Sequence, residues 1–385
     1  MKIPLKYNLG SLWVRRVGTL MTALGIGLTV AVVITMMALV NGLDATFVET
    51  GHEHHLIIIR DGALNEVNSY FNRDLLGTIR LLPGIRSDEN NEPMASGEIM
   101  VVINHPRITG ESSNVTVRGI SPMGLRLRPE AQLVQGSWFR RGLREIAVSE
   151  SLSRRFQNMN LGEMIHMSRS NWKVVGIFNA GGTAYDSEIW TDAEDVAQDW
   201  DRPVYSSMLL ESVDATAAKD ITRRIADDRR IHLQAVSQKE YYRSQTVTSI
   251  GIKALGVFIA VIMGIGSCFA AMNMMYATVM ARIKEVGTLR ALGFSRWSIW
   301  SSFLVESIVL ALFGGILGCL MALPLHGIST GTANFATFSE ILFNFRITPK
   351  ILLQGMIFAA IVGILGGGLP ARRAAQVRLI DALRE

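Results

Sequence analysis

The chain has 385 residues, of which 49% are hydrophobic and 18% are charged, and its formal net charge is +5. Its two cysteines, Cys268 and Cys319, both lie in apolar stretches, so the composition does not indicate a disulfide framework. A basic chain often binds nucleic acid, but here the positive charge borders long apolar segments, where membrane topology explains it, so we exclude a nucleic-acid partner.

The N-terminal residues 1–16 mix basic side chains (Lys2, Lys6, Arg15 and Arg16) with apolar ones. This pattern predicts a short amphipathic segment at the cytoplasmic surface of a membrane, and a disordered leader is the alternative.

Four long uncharged blocks follow along the chain, at residues 17–43, 254–281, 307–339 and 351–371. About 20 apolar residues suffice for a helix to cross a bilayer, and each block reaches that length. A buried core helix is the alternative, but such helices are usually shorter and carry a polar stripe. The first block is also longer than the core of a cleavable signal, so it predicts an uncleaved first span.

Residues 44–245, between the first and second spans, read as a separate α+β domain. Runs of β-branched residues predict strands at 55–59, 99–103, 115–117, 145–148, 165–167, 173–177 and 232–236. Helical spacing of apolar residues predicts helices at 66–82, 150–158 and 215–227. The fold class is therefore a membrane protein with four transmembrane α-helices, spans two to four lying within 246–385, and a large extracytoplasmic α+β domain.

The distribution of charged residues along the chain predicts its orientation in the membrane. Residues 44–252 contain 28 acidic and 23 basic residues, whereas the rest of the chain contains 15 basic and 5 acidic residues. Short segments rich in Lys and Arg stay in the cytoplasm. We therefore expect both termini in the cytoplasm and residues 44–245 outside.

Small residues recur four apart within three of the blocks, a spacing that lets helices approach closely in lipid. Glycine is common in membrane helices, which is the competing explanation for any one pair. The candidate packing pairs are Ala23 with Gly27, Gly314 with Gly318, and Gly363 with Gly367.

The sequence contains no motif for catalysis by this chain. It lacks the phosphate-binding loop of an ATPase, so we expect no directly bound cofactor. The histidines within 52–55 form the densest group of metal-ligand residue types, but neighbouring strand residues point to opposite faces. We interpret them as a solvated juxtamembrane patch and predict no metal site.

Glu306 lies at the edge of the third block, ten positions after Arg296 in an otherwise apolar stretch. A charge within a span is costly and usually faces a partner or water. It either couples the preceding cytoplasmic loop to the helix bundle or lies at the level of the lipid headgroups, and the sequence leaves both open.

The run R-I-K-E-V-G-T-L-R-A-L-G at 282–293, followed by a span, closely resembles the signature of the FtsX/MacB-like permease family. The P-A-R-R-A-A run at 370–375 resembles the C-terminal part of that family, and residues 133–178 resemble its periplasmic core. The resemblance covers most of the chain.

The resemblance implies a permease that pairs with a second copy or a paralogue above two ABC ATPase subunits. The segment 282–297 would be the coupling loop that docks on the ATPase. Its apolar side chains, spaced as Val286, Leu289 and Leu292, would insert as knobs into a groove of the partner. The implied coupling residues are Lys284, Glu285, Gly287, Leu289, Arg290, Ala291, Leu292 and Gly293. Because this chain starts directly with the membrane part, we expect a separate ATPase that binds ATP and Mg²⁺.

The implied function is ATP-driven export or extraction of a peptide, drug, lipid or lipoprotein across the bacterial cytoplasmic membrane. A periplasmic adaptor or cargo protein and membrane lipids would be the outer partners. The main alternative is a mechanotransmitting regulator of an outer partner such as a cell-wall hydrolase. A membrane-anchored binding protein would not need a basic docking loop, and a secondary transporter would need polar groups at the middle of the membrane.

Overall fold

The computed structural model describes residues 16–228, 230–245, 247–333, 337 and 339–376. The predicted amphipathic segment 1–16 lies outside these residues except for Arg16, and so does the basic tail beyond 376. The chain divides into a membrane unit, formed by residues 1–41, 251–328 and 345–385, and an outer unit, formed by 42–250 and 329–344.

The helices and strands are numbered here in chain order. The helices are α1 (Arg16–Thr50), α2 (Leu75–Arg80), α3 (Pro122–Arg126), α4 (Glu150–Ser153), α5 (Ala193–Asp199), α6 (Ala215–Asp227), α7 (Gln238–Gln245), α8 (Val247–Ala281), α9 (Ile283–Ala291), α10 (Arg296–Ala322) and α11 (Pro349–Gln376). The strands are β1 (His55–Arg60), β2 (Phe71–Asn72), β3 (Ala95–Pro106), β4 (Ser112–Ile120), β5 (Gln132–Gly136), β6 (Glu145–Ser149), β7 (Met164–Met167), β8 (Ser170–Asn179), β9 (Glu188–Asp192), β10 (Val204–Tyr205), β11 (Ser207–Glu211), β12 (Leu233–Ser237), β13 (Ser329–Ala333) and β14 (Glu340–Asn344).

The outer unit is built on a mixed sheet that contains ten of the described strands. Nine follow the order β12-β1-β11-β3-β4-β9-β6-β8-β5, and β7 pairs with β8. Most pairs are antiparallel, but β4 with β9 and β6 with β8 are parallel. Since strands and helices interleave without a regular βαβ repeat, the unit is α+β, as the sequence predicts.

Apolar strand residues and short helices form the core of this sheet. Ile58 of β1 is fully buried, as are Val117 of β4 and Val148 of β6. Helix α6 packs against β12 and contributes Ile221 and Ile225, which are four residues apart and therefore share one helix face. The helix begins where the sequence predicts.

The predicted helix at 66–82 is largely wrong. Only α2 is helical there, while β2 pairs with β10 and the residues before it form turns. Tertiary contacts override the helical spacing, because Glu66 is buried in an ion pair and its backbone N–H donates to the hydroxyl of Tyr241. The predicted helix at 150–158 is likewise shortened to α4.

The membrane unit contains the long apolar helices. Among the described residues, four helices are long and apolar enough to cross a membrane: Arg16–Thr50, Ile250–Ala281, Arg296–Leu325 and Pro349–Gln376. The first has 35 residues and is therefore about 52 Å long, well beyond the ~30 Å of a bilayer core. This is a multi-pass membrane protein whose large α+β domain lies between its first and second spans.

The third apolar block, 307–339, is not one span. Helix α10 ends at Ala322, a short 3₁₀ turn follows, and the chain then forms the β13–β14 hairpin, which belongs to the outer unit. Residues 329–339 are uncharged, so they extend the apolar run in the sequence, but strand β13 (Ser329–Ala333) pairs with β14 instead of continuing the helix. The outer unit therefore includes 329–344 in addition to the predicted 44–245.

Candidate coupling segment and outer cleft

The segment with the family-like motif forms a short helix with well-defined ends. Helix α9 ends at Ala291, and Gly293 follows with φ +92°, a conformation that glycine adopts without strain. Its N–H donates to the carbonyl of Arg290, and the N–H of Phe294 donates to the carbonyl of Leu289, which together make a Schellman motif. The side chain of Ser295 then accepts from the N–H of Ser298 and caps α10.

One side of this segment faces away from the protein. Leu292 is 67% exposed, and the other exposed residues from the predicted coupling set are Lys284, Glu285, Ala291 and Gly293. Leu289 and Arg290 are half-buried, and Gly287 is buried. The segment also exposes Trp297, which stacks on Trp300 with ring centroids 4.6 Å apart and was not singled out from the sequence.

The expectation that Val286 is an apolar knob for a partner is wrong. Val286 is only 2% exposed and packs with Val279, Ile299 and Phe303 in a small core of this chain. Its apolar spacing therefore reflects attachment of α9 to the neighbouring helices, while Leu292 remains available to a partner.

Glu306 links the coupling segment to the helices. Its Oε2 accepts from Nη1 of Arg282 at 3.0 Å, and the glutamate is buried. Arg282 is the residue before α9; it also donates to Glu285 at 2.9 Å, and its guanidinium lies over the ring of Phe303. The geometry favours the first of the two sequence interpretations of Glu306, the contact between loop and bundle.

The small-residue pairs lie where helices cross. A side chain on Gly314 would meet the carbonyl of Ala23 at 2.8 Å, and one on Gly318 would meet the carbonyl of Gly27 at 2.5 Å. On α11, a side chain on Gly363 would meet Ala311 of α10 at 2.7 Å, and Gly367 is similarly close to Ser307. The absence of side chains at these positions permits the close approach of α1 and α11 to α10.

The histidine patch after α1 is less exposed than the sequence suggested. His55 is only 6% exposed, and its ring lies 4.8 Å from that of His52. His52 pairs with Glu130 at 3.1 Å, and the hydrogen bond that its ring donates to this carboxylate raises the pKa of His52. Burial lowers the pKa of His55 to about 4. No group of metal-ligand residues suited to an ion occurs among the described residues.

These histidines line an open cleft in the outer unit, which we call the outer cleft. Its volume is about 720 Å³. The lining residues are His52, His55, Arg86, Ser87, Asp88, Glu89, Asn90, Met94, Arg126, Leu127, Pro129 and Glu211.

The outer unit also contains a buried ion network that sequence reasoning missed. Arg118 donates to Glu188, Glu66 and Glu98 at 2.8 Å each, and Arg128 donates to Glu98 at 2.7 Å. Burial alone would raise the pKa of Glu66, but the Arg118 guanidinium lowers it. Such charges remain ionised in a core only because they are paired. The charged residues inside the otherwise apolar strands β3 and β4 are the sequence feature from which this network could have been predicted.

Two family models match the chain. The MacB-like periplasmic core domain matches residues 19–228, which is more than half of the chain, and the FtsX-like permease C-terminal domain matches residues 257–378. The second match contains the coupling segment, the last two membrane helices and most of α8.

Curated relatives agree with these matches. The chain is similar to the macrolide export ATP-binding/permease protein MacB of Chlorobium luteolum, with 26% identity over 97% of this chain and 59% of that protein. It is also similar to the uncharacterized ABC transporter permease YknZ of Bacillus subtilis, with 27% identity over 58% of this chain and 57% of that protein. The chain thus spans less than two thirds of the length of these relatives.

Solved structures of outer domains also match part of the chain. The extracellular domain of YknZ covers 47% of this chain, at 14% identity and a TM-score of 0.37, and 99% of that structure is covered. The periplasmic region of MacB from Actinobacillus actinomycetemcomitans covers 52% of this chain, at 13% identity and a TM-score of 0.39, with 95% of that structure covered. On the strength of the family models, the chain belongs to the MacB/FtsX-like family of ABC transporter permeases.

Proposed function

We propose that this chain is the permease subunit of an ABC transporter and couples ATP hydrolysis by a separate ATPase subunit to movement of its outer unit. The movement would export or extract a cargo at the outer side of a bacterial cytoplasmic membrane. The ATPase would bind ATP and Mg²⁺ on the cytoplasmic side, where both termini of this chain would lie. A second permease copy or paralogue would complete the assembly.

The exposed coupling segment is the observation that carries this proposal. Leu292 and Trp297 are large apolar side chains that this segment leaves exposed, and its charged Lys284 is exposed as well. Tryptophan is enriched among interface hot spots, and apolar surface that is buried on binding adds to the affinity. Because the Schellman motif and the Ser295 cap fix both ends of the turn, the segment would enter a partner groove with little loss of conformational freedom.

The Arg282–Glu306 ion pair supports transmission from this segment into the membrane helices. Glu306 lies on α10, so a push on α9 would act on α10 through a buried, charge-assisted hydrogen bond as well as through the packing of Val286.

The chain connectivity supports transmission to the outer unit. The chain passes between the membrane unit and the outer unit four times, near residues 41, 250, 328 and 344. Two of these connections lie within the continuous helices α1 and α8. A helix resists bending over a few turns, so a displacement of its membrane part would reach its outer part.

The proposal is tested by replacing Leu292 with aspartate and measuring ATPase capture. The permease and the candidate ATPase are co-expressed and purified through a tag on the permease, and ATP hydrolysis is measured with and without the permease. We expect Leu292→Asp to reduce capture at least about tenfold, as the loss of an interface hot spot does.

The matched control is Leu81→Asp, which introduces the same change at an exposed leucine of the outer unit. It should leave capture and hydrolysis unchanged. Equal capture of the ATPase by wild type and Leu292→Asp would refute the role of this surface, and the absence of any ATPase complex with wild type would refute the proposed function.

A further inference from the structure

The outer cleft has the size of a small-molecule site. Its volume of about 720 Å³ lies within the range of roughly 300–1,000 Å³ that is typical of ligand pockets. The cleft lies wholly within the outer unit, between the start of β1, the loop that follows α2 and the turn after α3. Its lining is mostly polar, so it suits a polar, water-soluble ligand better than a lipid chain.

The two arginines of the cleft are already neutralised. Arg86 donates to Glu211 at 2.7 Å, and Arg126 is paired with Asp88. The carboxylate of Glu89 lines the same cleft and has no ion pair or hydrogen bond among the described residues. With both arginines matched, Glu89 gives the cleft a surplus negative charge, which favours a cationic ligand.

His55 also indicates a ligand in the outer cleft, independently of Glu89. Its side chain is 7% exposed and lines the cleft, and its Nδ1 is buried without a hydrogen-bond partner among the described residues. A buried polar atom without a hydrogen-bond partner is unfavourable, so a ligand that donates a hydrogen bond to it binds more tightly.

The surroundings of His55 define what the ligand must offer. Its Nε2 lies 3.9 Å from a carboxylate oxygen of Glu211, so we assign the ring proton of the neutral imidazole to Nε2. Nδ1 then carries a lone pair and accepts hydrogen bonds. Burial lowers the pKa of His55 to about 4, so the ring is neutral at pH 7. The ligand must therefore present a hydrogen-bond donor.

We propose that the outer cleft binds a small water-soluble ligand with a protonated amine, and that Nδ1 of His55 and the carboxylate of Glu89 recognise it. An ammonium group meets both requirements, because it donates up to three hydrogen bonds and carries positive charge. This binding does not depend on coupling to an ATPase, so it is measured on the permease alone and fails or succeeds independently of the proposed function.

Calorimetric titration with spermidine tests the proposal. The full chain is placed in nanodiscs of zwitterionic phosphatidylcholine, and empty nanodiscs correct for binding to lipid. We expect saturable binding with a dissociation constant below about 1 mM. Inorganic phosphate, titrated in the same way, should not bind.

Matched variants locate the site. Glu89→Gln should weaken spermidine binding about threefold, as the loss of one exposed charge contact does. Glu92→Gln removes the same charge from the same loop outside the cleft and should have no effect. His55→Leu should weaken binding about tenfold, whereas His55→Asn retains an acceptor close to the position of Nδ1 and should bind nearly as wild type does.

A spectroscopic readout covers the case in which a His55 variant fails to fold. The ¹⁵N resonance of Nδ1 in wild-type protein labelled at histidine should shift with spermidine at the calorimetric midpoint. The proposal is overturned if spermidine does not saturate, if phosphate binds in its place, if Glu89→Gln and Glu92→Gln weaken binding equally, or if the resonance stays unchanged at saturation.

Discussion

Gly293 shows how a single residue of the family-like motif fixes local structure. Its φ of +92° places it in the left-handed region, where a side chain is strained by about 1–2 kcal/mol. The motif ends in glycine because α9 must stop before it and α10 must begin three residues later, at Arg296, after the Ser295 cap.

We therefore predict that Gly293→Val lowers both the thermal unfolding temperature and the amount of captured ATPase, because the turn that presents Leu292 is distorted. Gly293→Asn is the matched control, since asparagine tolerates the left-handed region better than other residues. Gly293→Asn should retain most of the thermal stability and most of the ATPase capture. Equal losses in the two variants, measured by thermal unfolding in nanodiscs and by co-purification, would show that side-chain bulk and not backbone conformation is what matters there.

His55 makes stability depend on pH. Its pKa is lowered to about 4 by burial, with help from His52, while Arg128 also lowers it and Glu211 and Glu130 oppose the shift. The unfolded chain binds the proton below pH 6.5 and the folded chain does not. The stability that the neutral His55 ring contributes is therefore fully present above pH 6.5 and is lost as the pH falls from 6.5 to about 4.

We predict that the outer unit loses roughly 3 kcal/mol of stability over this window because of His55. His55→Asn should remove that part of the pH dependence. His52→Asn is the comparison variant and should keep most of the loss, because burial, and not the neighbouring His52, is the main cause of the lowered pKa of His55. Parallel curves for wild type and His55→Asn in thermal unfolding between pH 4 and 6.5 would contradict the assignment.

At the scale of elements, the β13–β14 hairpin is held in the outer unit by buried groups. Glu340 is 3% exposed and accepts hydrogen bonds from Arg107 at 2.5 Å and from Arg155 at 2.9 Å. The N–H of Leu342 donates to the hydroxyl of Ser187 at 2.8 Å, and its side chain joins the core. The hairpin is thus a structural part of the outer unit, although it lies between the third and fourth spans in the chain.

We predict that Glu340→Gln destabilises the outer unit by about 2 kcal/mol, because Arg107 and Arg155 lose the carboxylate that both of them bind. Chemical denaturation of the full chain measures this change. Glu111→Gln is the matched control, since Glu111 is exposed and lies 3.8 Å from Arg107. An effect of Glu340→Gln no larger than that of the control would mean that the hairpin is held by apolar packing alone.

The sequence predicted those elements whose pattern is set locally. Helix α6 has the predicted bounds 215–227, because Asp214 caps it and its apolar residues repeat along one face. The apolar strands near 55–59 and 115–117 were also predicted, since strands buried on both faces read as continuous apolar runs.

Elements that depend on distant partners could not be predicted. Residues 66–82 have helical spacing, yet Glu66 is drawn into the core by Arg118, which lies 52 positions away. Strand β13 falls within the predicted block 307–339 because its residues are uncharged, and Arg107 and Arg155, which bind Glu340 of the hairpin, are far off in the sequence. The coupling segment was located from its motif, but only the packing distinguishes the buried Val286 from the exposed Leu292.

For the whole molecule, the proposed function requires that movement is transmitted between two units, which four passages of the chain connect. Long continuous helices and a hairpin between spans provide those passages. The proposed function, in which the outer unit handles the cargo and a cytoplasmic partner binds ATP, requires that ATP binding or hydrolysis moves the outer unit.

The most direct test is a pair of spin labels, at Lys219 on α6 and at Arg296 near the end of the coupling segment, in a chain whose Cys268 and Cys319 are replaced by serine. The complex with its ATPase is studied in nanodiscs, without nucleotide and with ATP held unhydrolysed. We predict that ATP changes the distribution of distances between the labels and that Leu292→Asp abolishes the change. Identical distributions in a complex that binds and hydrolyses ATP would contradict the central claim that this permease transmits ATP-driven movement to its outer unit.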